Sequence, residues 1–121
     1  MTPIDLFTSF LHLTADGHAA ATPRTVDGEP DDWHLMTFHA TTDDDVHSDH
    51  WEIHAAADEL VCCLSGGFRL YLRDDDTPAT LTPGTAAVVP CGRWHRLELD
   101  APSDLLSVTV PSGTRIEPRA A

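Results

Sequence analysis

Apolar and polar positions trade places over short distances along this chain, and proline or glycine interrupts the pattern before a helical stripe can build. No stretch sustains the three-to-four residue spacing of an amphipathic helix. Segments of alternating or continuous apolar character, bounded by turn residues, read instead as strands. The pattern predicts strands over 9–13, 18–22, 33–40, 49–55, 59–65, 68–73, 79–82, 85–90, 94–99 and 104–110. Ala15-Asp16-Gly17 signals a turn, and Gly66-Gly67 signals a stronger one between two apolar runs. Pro102-Ser103-Asp104 and Pro111-Ser112-Gly113 bracket the last strand, and residues 111–121, which end in TRIEPRAA, read as a loose tail. Many short strands so punctuated imply an all-β sandwich or barrel.

Composition narrows what such a barrel can do. At 121 residues with 41% apolar side chains, the chain suits one domain around one core. Twenty acidic side chains against seven basic ones give a formal charge of −13. That field repels phosphate backbones and anionic membranes, so neither nucleic acid nor a membrane is an expected partner. No apolar run approaches the roughly 20 residues of a membrane span. MTPIDLFTSFLHL carries Asp5, lacks a basic n-region and does not read as a signal peptide. Three cysteines, two of them adjacent, make no disulfide framework and point to a reducing, cytoplasmic setting. The acidic runs Asp31-Asp32, Asp43 to Asp45 and Asp74 to Asp76 fall between strands as solvated loops.

The stretch HWEIHAAADELVCCLSGG, residues 50–67, carries the chemistry. In a strand, alternate side chains share a face, so His50, Glu52 and His54 point one way and Trp51 and Ile53 the other. A turn over 55–58 leads to Glu59, which meets His54 across the ladder if the two strands pair. His95 follows a Pro-x-Gly turn at Pro90-Cys91-Gly92. Two imidazoles and one or two carboxylates converging inside a barrel would suit Fe(II), Mn(II), Ni(II) or Zn(II). Cys63 shares the inward face of Glu59 and is expected to line the cavity, while Cys62 faces out. Cys91 lies near His95 in sequence. Met36 and Phe38 are expected to close one side of the cavity or a dimer seam, and Arg69, Tyr71 and Arg73 to lie on the surface.

These residues resemble the two motifs of a single-domain cupin. The first, G-x5-H-x-H-x(3,4)-E-x6-G, is matched by His54, Glu59 and Gly66; the second, G-x5-P-x-G-x2-H-x3-N, by Gly84, Pro90, Gly92 and His95. The resemblance covers roughly residues 46–110 and implies an antiparallel jelly-roll β-barrel holding one divalent transition metal, with extra strands contributed by 4–40. Three positions depart from the pattern: Glu52 replaces the first histidine, Val46 the first glycine and Leu99 the asparagine. The resemblance makes Glu52, His54, Glu59 and His95 the metal ligands. Two alternatives stay open: a three-ligand site of His54, Glu59 and His95 without Glu52, and His50 in place of Glu52.

Function follows less directly, because one barrel serves many chemistries. The leading expectation is a metal-dependent enzyme acting on a small organic molecule, as an oxygenase, isomerase or cyclase. The rival is a non-catalytic, metal-organised module that binds or senses a small ligand. A homodimer is expected, since small barrels expose sheet edges. The apolar segments 6–11 and 35–38 are its predicted seam.

Overall fold

The computed structural model describes residues 1–24 and 31–119. Among the described residues the short apolar segments form nine strands: β1 (Ser9–Leu13), β2 (Ala19–Pro23), β3 (Trp33–Ala40), β4 (His50–Ile53), β5 (Glu59–Leu72), β6 (Ala79–Leu81), β7 (Ala86–Val89), β8 (His95–Thr109) and β9 (Arg115–Pro118). Every pairing is antiparallel. The sheet runs β2-β1-β3-β8-β4-β9, and β5 pairs with β8, β6 and β7. The result is an all-β jelly-roll barrel. Its spine is the pair β5 and β8, 14 and 15 residues long.

Cross-strand register separates the two faces. Val61, Ser107 and Met36 lie opposite one another across β5, β8 and β3, as do Cys63, Leu105 and Phe38. These rows face inward. Cys63, Phe68 and Leu105 are fully buried there, joined by Ala40, Val61, Leu70, Leu81 and Val89. The alternate row Leu11, Leu35, Val108, Leu60 and Val88 crosses five strands on the outer face, where Leu60 and Val88 are exposed.

Three expectations fail for identifiable reasons. Gly66-Gly67 is no hairpin turn, because β5 runs through it. Gly66 has a φ of 81° and leaves the ladder opposite Pro102, where the β5–β8 register shifts. Proline has no N–H to give a ladder, and a glycine bulge accommodates that gap. A Cβ on Gly66 would overlap the Pro102 carbonyl oxygen and the Ser103 side chain. Ser103 Oγ fills the gap, accepting from the Gly67 N–H at 3.0 Å and lying 2.8 Å from the Ala101 oxygen. By the same device, 94–99 and 104–110 belong to one bent strand. The tail is not loose over its strand residues: β9 pairs with β4, Arg119 N–H donates to the Asp49 oxygen at 2.8 Å, and Arg73 pairs with Glu117. Without β9 that side of β4 would be an open edge. Finally, β4 pairs with β8 and β9 but not with β5, so Glu59 reaches His54 across the barrel interior rather than along a ladder.

Candidate functional site

All four residues singled out in the sequence come together at strand ends inside the barrel. Glu52 lies on β4 directly opposite His95, the first residue of β8, so the two side chains share the inner face. Glu59 opens β5, and His54 follows the last residue of β4. The connecting turns are tied together: Gly92 N–H donates to the His54 oxygen at 2.9 Å, and Cys91 N–H to Asp58 Oδ1 at 2.7 Å. The Pro-x-Gly turn therefore fastens the His54 backbone beside the His95 strand.

Each carboxylate sits between both imidazoles. Glu52 Oε1 lies 3.1 Å from His54 Nε2 and 3.6 Å from His95 Nε2. Glu59 contacts His54 Nε2 through Oε2 at 3.2 Å and His95 Nε2 through Oε1 at 3.1 Å. His54, Glu59 and His95 are buried, whereas the Glu52 side chain keeps 42% of its exposure. Supporting contacts aim the rings. His95 Nδ1 lies 3.3 Å from the Arg93 carbonyl, which only accepts, so Nδ1 carries the proton and Nε2 faces the cluster. His54 Nδ1 meets Thr114 Oγ1 at 2.9 Å, and Ser107 Oγ donates to Glu59 Oε2 at 2.8 Å.

Electrostatics and geometry agree on what the cluster can accept. Burial alone would push both imidazoles toward neutrality, but the close carboxylates of Glu52 and Glu59 more than reverse this, raising His54 to about 10 and His95 to about 9. Burial opposes ionisation of Glu52 and Glu59 as well, and the two histidines outweigh it, holding both near 2. His54 Nε2 is nevertheless buried without a hydrogen-bond partner, because neither carboxylate is well aligned with it. One ligand atom from each residue lies within 4.8 Å of the others. Bonds of about 2.1 Å to a divalent ion place neighbouring donors about 3.0 Å apart in an octahedron and about 3.4 Å apart in a tetrahedron. Three of the four nitrogen-to-oxygen distances, 3.1, 3.2 and 3.1 Å, fall in that range and the fourth, 3.6 Å, lies just above it, so these residues could hold one ion with little movement.

The cluster opens into a cavity of about 560 Å³. Met36, Phe38, Val61 and Leu105 give it an apolar wall, and His47 and His50 also line it. Met36 and Phe38 thus stand where one of their expected roles placed them. His50 stays outside the cluster, its Nδ1 turned to Asp49 Oδ1 at 2.7 Å. Cys63 faces inward as expected but does not line the cavity, because it is fully covered by the core cluster that includes Phe68, Leu70 and Leu81. Cys91 directs its thiol to the Ala55 oxygen at 3.3 Å, away from the cluster. Thr114 and Ser107 were missed: hydroxyl residues on distant segments carry no spacing signal. A second grouping, His12, Asp32 and His34, was missed as well, because Asp32 reads as part of an acidic loop.

An inward-facing His/Glu cluster at the mouth of a jelly-roll barrel defines a recognisable class of protein. The chain belongs to the cupin domain family, which it matches over residues 34–110. It is similar in structure to a cupin-2 domain containing protein from Shewanella frigidimarina, at 22% identity and a TM-score of 0.52, with 81% of this chain and 80% of that one covered. It is also similar to an uncharacterized conserved protein with a double-stranded β-helix domain from Klebsiella pneumoniae, at 18% identity and a TM-score of 0.59, covering 81% and 79%. An Fe(II)-HppE solved with the alternative substrate (S)-1-HPP aligns at 20% identity and a TM-score of 0.50, over 64% of this chain and 42% of that one. At such identities the likeness is one of fold. No curated protein matches the chain. Among the described residues, no helix is long and apolar enough to cross a membrane.

Proposed function

We propose that Glu52, His54, Glu59 and His95 hold one divalent transition metal, and that the protein is a metal-dependent enzyme acting on a small organic molecule. The observation that carries this reading is the convergence of two imidazoles and two carboxylates inside the barrel, with one ligand atom from each within 4.8 Å of the others. The Fe(II)-HppE among the structural neighbours is an iron protein solved with a substrate, and its likeness of fold supports the reading. When bound, the ion would supply Lewis acidity or an oxygen-binding centre with open coordination positions. The chain's own residues divide the remaining work. Glu59 is buried and fixed by both histidines and Ser107, which suits an anchoring ligand. Glu52 is half-exposed toward the cavity, which suits a carboxylate that also moves a proton to or from substrate. The apolar wall excludes water and favours a substrate with a compact hydrocarbon part.

The test starts with metal content and affinity of tag-free protein. His95→Ala and His54→Ala should lose bound metal, whereas His47→Ala should keep it; equal occupancy in all three removes the assignment. Incubating metal-loaded protein with a metabolite extract then separates enzyme from binding module. Catalytic consumption of a compound in large molar excess supports the enzyme. Stoichiometric retention of an unchanged compound supports the ligand-binding alternative, which the cavity alone would also serve.

A further inference from the structure

A second cluster stands apart from the cupin motifs. His12 on β1 lies directly opposite His34 on β3, and His34 lies directly opposite Thr109 on β8. This row neighbours the Met36–Ser107–Val61 row on the concave side of the sheet, since side chains two residues apart share a face. Asp32, two residues before His34, completes the group. Its Oδ1 lies 3.0 Å from His12 Nδ1 and 3.4 Å from His34 Nε2. His12 Nε2 is engaged by Thr22 Oγ1 at 2.6 Å, which leaves Nδ1 as the nitrogen aimed at Asp32.

The cluster as it stands is incomplete in one respect. His34 is only 6% exposed, and its Nε2 is buried with no hydrogen-bond partner, although the Asp32 carboxylate is close by. A buried, unmatched imidazole nitrogen is destabilising unless something else satisfies it. One donor atom from each of the three residues lies within 4.8 Å of the others, and the two separations from Asp32 Oδ1, 3.0 and 3.4 Å, fall between the about 3.0 Å edge of an octahedral site and the about 3.4 Å edge of a tetrahedral one with bonds near 2.1 Å.

We infer that His12, Asp32 and His34 form a second metal site, taking a borderline divalent ion such as zinc(II) through two nitrogens and one oxygen. Thr22 supplies the outer contact that orients a ligating histidine in such sites. The consequence is structural. β1 pairs with β3 through only three residues, Leu11, His12 and Leu13. An ion bridging His12 to Asp32 and His34 clamps the β1–β2 hairpin onto the barrel wall that lines the cavity.

The experiment counts zinc in full-length, tag-free protein after titration and desalting, comparing the parent with Asp32→Asn, His34→Phe and His95→Ala. The parent should retain two zinc ions per chain. Asp32→Asn and His34→Phe should each retain one, and His95→Ala should lose the other. Asp32 is partly exposed and the asparagine is isosteric, so that variant reads the site even if His34→Phe fails to fold. Zinc retention equal to the parent in folded Asp32→Asn overturns the inference, as does a parent whose only zinc is lost in His95→Ala. Should the motif cluster bind no metal, the parent would hold one zinc, kept in His95→Ala and lost in Asp32→Asn. Failure of either site is therefore told apart from failure of the other.

Discussion

Metal uptake at the motif cluster should release two protons, and its pH dependence is calculable from the structure. In the metal-free protein, Glu52 and Glu59 raise His54 to about 10 and His95 to about 9, so both imidazoles carry a proton at neutral pH. A metal ion binds the deprotonated nitrogen and must displace both protons. Between pH 7 and 8 the two groups stay protonated without metal, so the apparent affinity should rise about 100-fold, or about 2.7 kcal/mol at 1.4 kcal/mol per tenfold. Two histidines at the ordinary pKa of about 6.5 would give only about a 1.6-fold rise over that interval. The carboxylates, held near 2, stay ionised throughout and contribute nothing to the slope. Competition against a chelator of known proton affinity measures the slope; calorimetry in buffers of different ionisation enthalpy counts the protons. A rise below about threefold would refute the coupling. The same coupling has the opposite sign for folding without metal. Histidines whose pKa is raised by folding stabilise fully below about 6.5 and lose that contribution as pH climbs through 9 to 10. The urea midpoint of metal-free protein should therefore fall from pH 7 to 10. The carboxylate contribution, present above about 4.5, should be lost only as pH drops toward 2.

Thr114→Val removes the hydroxyl that meets His54 Nδ1 and should weaken metal affinity about 10–100-fold, with Thr114→Ser restoring it; unchanged affinity in the valine form would show that Thr114 does not orient the ring. Gly66→Ala should destabilise by more than about 1 kcal/mol in urea titration, since the added methyl meets Pro102 and the backbone must hold a positive φ; a neutral result would mean the bulge relaxes freely. We propose a homodimer covering the outer apolar row that contains Leu11 and Leu35, and sedimentation should show Leu60→Lys shifted toward monomer; a parent monomeric at high micromolar concentration defeats that proposal.

Strand positions were readable because each carries its own local signal: alternation within 33–40, or an apolar run ending in turn residues at 85–90. Connectivity was less so. Gly66 reads as a turn because a bulge and a hairpin both exploit its positive φ. Only the partner strand, with Pro102 opposite, decides between them. β9 carries no local signal because Arg115-Ile116-Glu117-Pro118 buries little of itself and exists to pair with β4. Glu52, His54, Glu59 and His95 were visible through fixed motif spacing. Their supports, Thr114 and Ser107, were not, since a hydroxyl becomes a partner only when folding brings it there. The His12–Asp32–His34 group was hidden for the same reason: it depends on a cross-strand register that no local pattern encodes.

Glu52, the departure from the family motif, is also the residue that balances the centre. Without metal, two protonated imidazoles face two carboxylates, and the net charge of the four groups is zero. A divalent ion in the proposed position, with two neutral imidazoles and two carboxylates, leaves the sum at zero again. Exchange of two protons for one ion thus changes no net charge in a largely buried place, where an unbalanced charge would cost several kcal/mol. A histidine at position 52 would leave the same ion with one uncompensated positive charge. The balance also explains the unequal settings of the two carboxylates. Glu59, buried and bonded by Ser107, secures a fixed negative charge beside both imidazoles. Glu52 meets them through one oxygen, Oε1, while its side chain stays open to the cavity.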